Sequence, residues 1–167
     1  PNGLAYDSTN GILYIADRSN HRVIALNSSG QALRILGESG GTASNVASSN
    51  ADGSFGNIHS CNQPIGVTIV GNYLYVACQQ QHVIKRIQID NPANAATYGL
   101  TITVAGRQNS AGTNFLAANG VAIPDGVGGG NSDAATGATA LVAYPSEMSS
   151  DGNGVIYWAE RQSGNHG

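Results

Sequence analysis

Charge is scarce in this sequence. Asp, Glu, Lys and Arg together make up 10% of its 167 residues, against about 25% in an average globular domain. The seven basic residues are scattered and nowhere form a run that could neutralise several phosphates, which argues against a nucleic-acid partner. No apolar run approaches the roughly 18 residues of a membrane-spanning helix, so no membrane span is expected. There are only two Cys, one Trp and one Met. The start at Pro1 shows neither an initiator Met nor the charged and apolar regions of a signal peptide, and predicts that the natural N-terminus lies upstream.

What the sequence does have is glycine, 23 residues, roughly twice the usual share of about 7%. Its apolar residues, 41% of the total, fall in short clusters separated by Gly, Asn, Asp and Pro. That pattern predicts strands and tight turns, and leaves no window for a long helix. Few Lys, many Asn, Ser, Thr and Gly, and the sequon Asn27-Ser28-Ser29 point to an extracellular or lumenal setting with glycosylation at Asn27.

Three segments answer one another. The first runs Pro1-Asn2-Gly3-Leu4-Ala5-Tyr6-Asp7, then Leu13-Tyr14-Ile15-Ala16-Asp17, then Asn20-His21-Arg22-Val23. The second runs Pro64-Ile65-Gly66-Val67-Thr68-Ile69-Val70, Leu74-Tyr75-Val76-Ala77-Cys78 and Gln81-His82-Val83. The third starts at Pro145 and passes through Ile156-Tyr157-Trp158-Ala159-Glu160. Each copy reads as two strands joined by a tight turn, then a third strand. Fourth strands are expected over residues 31–37 and 100–105, where β-branched and Leu residues resume. The Tyr-centred strands are 61 and then 82 residues apart. That exceeds the roughly 40 to 45 residues of a four-stranded propeller blade, and long inter-blade loops account for the excess.

These segments resemble the NHL repeat, with the third copy also similar to the YWTD propellers. The resemblance implies an all-β fold: a partial β-propeller of antiparallel four-stranded blades, about two and a half blades of a six-bladed ring. The expected division is blade 1 over about 1–37, a loop over 38–62, blade 2 over about 63–106, a loop over 107–143 and the first half of blade 3 over 144–167. Within this frame Tyr14, Tyr75 and Tyr157 are expected to fill the space between blades, their hydroxyls reaching a polar edge. Asp17 and Arg22, with Asn20 and His21, are expected to form a structural clasp at the turn between second and third strands.

The four histidines are His21, His59, His82 and His166, and three of them fall at or near the repeat's own His position. Repeat architecture is therefore the expected role, and neither a metal site nor a cofactor is expected. Asp-Gly and Asn-Gly pairs read as hairpin turns without an ion. Cys61 lies just before the first strand of blade 2 and Cys78 just after the second. Those ends meet in an antiparallel pair, so a disulfide is expected. The long loops carry Phe55, Phe115 and Leu116 as candidate partner contacts, or as residues that tuck each loop onto its own blade.

The function expected from these features is a non-catalytic extracellular interaction or structural module that binds protein or glycan, with further copies or remaining blades covering its open edges. Two alternatives stand beside it. One is a propeller enzyme similar to peptidyl-hydroxyglycine lyase, with catalytic groups mostly in other blades. The other is an assembly unit of a filament or shell, since open blades pair readily with other chains.

Overall fold

The computed structural model describes residues 1–37, 54–55, 61–106, 142 and 144–161. Within them eleven strands form three antiparallel sheets. Blade 1 contains β1 (Leu4–Asp7), β2 (Ile12–Asp17), β3 (Arg22–Asn27) and β4 (Ala32–Leu36), hydrogen-bonded in sequence order. Blade 2 contains β6 (Pro64–Val70), β7 (Tyr73–Cys78), β8 (Val83–Gln88) and β9 (Leu100–Ala105), again in sequence order. Blade 3 begins with β10 (Pro145–Ser150) and β11 (Ile156–Glu160). The expected fourth strands are thus present at both predicted places.

One strand departs from the expected layout. The two-residue β5 (Ser54–Phe55), inside the segment read as a loop, pairs with Leu100 and Thr101 on the outer edge of β9. Blade 2 is therefore five-stranded. An edge strand offers unpaired backbone donors and acceptors, and even a two-residue piece can satisfy some of them. So short a strand has no alternation to read in the sequence.

The sheets repeat each other down to their irregularities. A register shift falls between Val23 and Ile24 in β3 and between Ile84 and Lys85 in β8, at matching positions of the two blades. Another falls between Pro64 and Val67 in β6 and between Pro145 and Met148 in β10. Such bulges re-aim side chains and sharpen local twist. Their recurrence shows that the three segments are copies of one unit.

Alternation in the strands lets blade 2 bury both faces. In β2 the side chains of Ile12, Tyr14 and Ala16 are buried in a core shared with Val67, Leu74, Val76 and Cys78 of blade 2. On the opposite face of β7, Tyr75 and Ala77 pack in a second cluster with Met148, Ile156 and Trp158 of blade 3. Blade 2 is a two-sided layer between its neighbours. Fully burying a residue such as Leu74 or Val76 contributes about 1.5 to 3 kcal/mol, so these junctions hold the array together.

Candidate functional site at the blade junctions

Each complete blade turns from its second to its third strand through one turn of 3-10 helix, Arg18–Asn20 in blade 1 and Gln79–Gln81 in blade 2. A histidine ends each turn in the left-handed conformation, His21 at φ 52° and His82 at φ 56°. That region is uncommon for a residue with a side chain. The reason lies in the next blade. The backbone N–H of Gln63 donates to His21 Nδ1 at 3.2 Å, and that of Tyr144 donates to His82 Nδ1 at 3.1 Å. An Nδ1 that accepts requires a neutral ring with its proton on Nε2.

The two donors are equivalent as well. Gln63 and Tyr144 each precede the proline that opens a first strand, and both have positive φ, 53° and 45°. Their carbonyls are engaged on the other side: Gln63 O accepts from Gln79 N at 3.2 Å, and Tyr144 O from Arg161 N at 3.1 Å. A single residue thus joins the histidine of one blade to the turn of the next. The left-handed backbone at these non-glycine positions costs of order 1–3 kcal/mol, which persists only when surrounding structure holds it. At the second junction the Tyr144 ring adds an edge-on contact with His82, centroids 4.2 Å apart.

The clasp at the same turn exists in two chemical forms. In blade 1, Arg22 Nε donates to Asp17 at 2.8 Å while Asn20 Nδ2 donates to both Asp17 oxygens. Partial burial alone would raise the Asp17 carboxyl. The hydrogen bonds from Asn20 and Arg22 and the Arg22 charge outweigh that and hold it below the usual value. In blade 2 the position of Asp17 is taken by Cys78, which is bonded to Cys61 across a Cα–Cα distance of 5.1 Å. Val83, fully buried, takes the place of Arg22. The expected disulfide is present and occupies the site of the ionic clasp.

Arg18 links the two turns directly. Its Nη2 donates to Gln63 Oε1 at 2.7 Å and to Gln79 Oε1 at 3.4 Å, Gln79 being the counterpart of Arg18 itself. Close approach of the first strands depends on glycine. A Cβ on Gly3 would run into the carbonyl oxygen of Ile65, and one on Gly66 into that of Ser146.

The tyrosines behave differently from one another. Tyr14 is fully buried and its hydroxyl meets that of Tyr98 at 3.1 Å; burial first, then the shared hydrogen bond, pushes the Tyr14 hydroxyl well above its ordinary range. Its partner is therefore another hydroxyl rather than a polar edge. Tyr75 is half-buried against blade 3, and Tyr157 is 57% exposed. Sequence reasoning missed Tyr98, Gln63, Tyr144 and Arg18. The last three stand beside repeat motifs that were read only within single blades.

At the opposite end of the strands from the histidine turns, Ile12, Ala25, Asn27, Gln31, Leu33 and Tyr98 line a groove of about 210 Å³. Asn27 Oδ1 accepts from the backbone of Ser29 and Gln31, and its Nδ2 donates to Gln31 Oε1. Phe55 is part-exposed on the outer edge of blade 2. Phe115, Leu116, His59 and His166 lie outside the described residues. Among the described residues no group of three His, Cys, Asp or Glu is placed to hold a metal, and no helix is long and apolar enough to cross a membrane.

Comparison with known proteins agrees with this architecture. The NHL repeat family matches residues 1–26. NHL repeat-containing protein 2 of Gallus gallus is 28% identical over 111 residues, which cover 66% of this chain and 14% of that protein. A structural genomics protein of unknown function from Bacteroides thetaiotaomicron superposes with TM-score 0.62 at 21% identity, covering 96% of this chain and 32% of that one. An auxiliary nutrient binding protein from the same organism gives TM-score 0.57 at 17% identity, covering 87% of this chain and 31% of its own. The chain spans less than two thirds of the length of each. With an NHL repeat matched at residues 1–26 and the same junction chemistry carried through blade 2, this chain is similar to NHL-repeat proteins and has a partial-propeller architecture.

Proposed function

We propose that the chain is a non-catalytic binding module that works outside the cytoplasm and engages protein or glycan. One observation carries this reading: His21 and His82 both use Nδ1 to hold the backbone of the following blade. The residues that look most like chemistry are thereby committed to architecture, and what remains for function is surface. The Cys61–Cys78 bond and the sequon at Asn27, beside the exposed hairpin Ser28 to Gly30, favour an oxidising, secretory setting. A neighbour of similar fold described as a nutrient binding protein lends support to binding in general.

The test is a solution screen of the purified chain against glycan and peptide panels, with elemental analysis on the same sample. Saturable binding without bound metal is expected. Stoichiometric zinc or calcium, with turnover of a candidate substrate, would replace this reading by an enzymatic one.

A second reading has its own observation. Leu4 and Tyr6, on the outward face of blade 1, are 61% and 65% exposed, whereas their counterparts Val67 and Ile69 in blade 2 are packed into the shared core. The outer blade faces are then association surfaces, covered by another blade or another chain. Sedimentation of the chain alone and mixed with candidate partners tests it; a chain whose outer faces bind nothing would sink it.

A further inference from the structure

Leu33 lies in a row of side chains that faces blade 2. On β4 it pairs with Ala25 of β3, which pairs in turn with Tyr14 of β2. Tyr14 and Ala25 are buried in the core shared with blade 2, yet Leu33 is 56% exposed. The groove of about 210 Å³ separates it from that blade, with Pro92 and Tyr98 of the excursion between β8 and β9 as the far wall. Both walls thus belong to blades whose four strands are all described.

Asn27 stands on the same face, paired with Ile12, and forms the lip of the groove with Gln31. Its amide is held at the oxygen end. Oδ1 accepts from the N–H of Ser29 at 3.1 Å and from that of Gln31 at 2.9 Å, while Nδ2 donates to Gln31 Oε1 at 2.9 Å. These bonds fix the plane of the amide, so a group bonded to Nδ2 starts at the groove's lip. Asn27 also opens the sequon Asn27-Ser28-Ser29. The acceptor atom of the sequon and the edge of an unfilled apolar groove therefore coincide.

We infer that Asn27 carries an N-linked glycan whose first N-acetylhexosamine ring lies in this groove, against Leu33 and Pro92. The inference rests on the secretory reading of the chain. In the attachment, Nδ2 bonds to the anomeric carbon of a sugar carried on a polyprenyl diphosphate. The anomeric C–O bond breaks, its electron pair leaves with the diphosphate, and Nδ2 gives up one proton. The second Nδ2 proton remains to donate to Gln31. No charged side chain lines the groove, which matches a neutral ring. The C–H face of the ring covers Leu33 and removes apolar surface from water, while its hydroxyls stay in solvent or reach the Gln31 amide. Pockets that hold whole ligands run to about 300–1,000 Å³; this smaller groove takes one ring, and the rest of the glycan extends outward. The covalent tether makes the contact intramolecular, so a shallow seat is enough.

The experiment expresses the whole chain through a eukaryotic secretory pathway as wild type, S29A, L33S and the S29A, L33S pair, with each glycan trimmed enzymatically to its first sugar. Ser29→Ala removes the sugar but keeps Asn27 and the backbone N–H of residue 29. Peptide mapping without reductant reads the occupancy of Asn27 and the Cys61–Cys78 linkage in one sample, and circular dichroism checks that each protein is folded. Asn27 is expected to be occupied in the wild-type chain and in L33S. The wild-type melting midpoint is expected to exceed that of S29A by about 2–4 °C, a difference that vanishes between L33S and the pair. A bare Asn27 in a chain whose disulfide has formed overturns the inference and leaves the secretory reading standing. So does an occupied Asn27 whose sugar gives no shift, or the same shift with and without Leu33. A folded chain with both cysteines reduced overturns the secretory reading itself.

Discussion

His82 receives the backbone N–H of Tyr144 on Nδ1 at 3.1 Å while the edge of the Tyr144 ring meets the imidazole, both residues buried at the junction of blades 2 and 3. Removing the ring leaves a buried backbone donor without an acceptor, which costs about 1–3 kcal/mol. His82→Ala is therefore expected to lower the free energy of unfolding by that amount. Urea denaturation followed by the emission of Trp158, the single tryptophan, reads the change at this junction. A midpoint equal to wild type would show that the latch contributes nothing.

The Cys61–Cys78 bond closes a short loop, with a sequence separation of 17. A crosslink of this size contributes roughly 3 kcal/mol, mainly by restricting the unfolded chain. The paired Cys61→Ser, Cys78→Ser variant should lose that much stability. Installing the ionic clasp instead, by Cys78→Asp with Val83→Arg, should restore nothing, because both positions are fully buried in this blade and desolvating the two charges offsets their attraction. Peptide mapping without reductant checks the linkage itself.

Gly66→Ala is expected to destabilise the second junction although alanine is the smallest change available. The added methyl meets the Ser146 carbonyl, and overpacking of this kind costs about 1–3 kcal/mol. Thermal melts should show a lower midpoint, and Trp158 emission should shift to the red if the blades separate. An unchanged melt would mean that the first strands have room to part.

The clasp of blade 1 predicts a small acid sensitivity. Asp17 is held below its ordinary value of 3.8 by Asn20 and Arg22 against the opposing effect of burial. A depressed folded-state carboxyl contributes fully above the unfolded value and is lost as pH falls through the folded one. Asp17→Asn should therefore flatten the acid limb of the stability profile below about pH 4 and change stability near neutrality by less than about 1 kcal/mol. Denaturation midpoints measured from acid to neutral pH test the sign.

Tyr14→Phe removes one hydroxyl from a buried pair and leaves that of Tyr98 without this partner. A loss of about 1–2 kcal/mol is expected. The double variant with Tyr98→Phe should recover part of it, since two apolar edges need no partner. Equal losses in the single and double variants would show the contact to be incidental.

Much of this architecture was legible before any coordinate, because it is written in periodic residues. The strands around Tyr14 and Tyr75, the fourth strands and the cysteine pair all follow from alternation, turn chemistry and repeat spacing. What escaped notice lies between copies. Gln63 and Tyr144 share their place before a proline, but the left-handed backbone that turns each N–H to the preceding blade is not visible in residue type. Tyr98 sits in an excursion between β8 and β9 that has no counterpart in blade 1, so no comparison of copies could point to it. The turn histidines read from sequence as parts of the repeat's architecture, and the peptide that each one holds is visible only in the fold.

The latch also has a direction in time. His21 precedes its donor Gln63 by 42 residues, and His82 precedes Tyr144 by 62. On the ribosome the acceptor of each pair is always made before the donor, and a nascent blade already displays the group that will capture the next one. Ile12, Tyr14 and Ala16 lie in a core shared with blade 2, so blade 1 is completed as the start of blade 2 emerges and engages His21. Assembly then advances in the order of synthesis, each blade acting as the template for its successor.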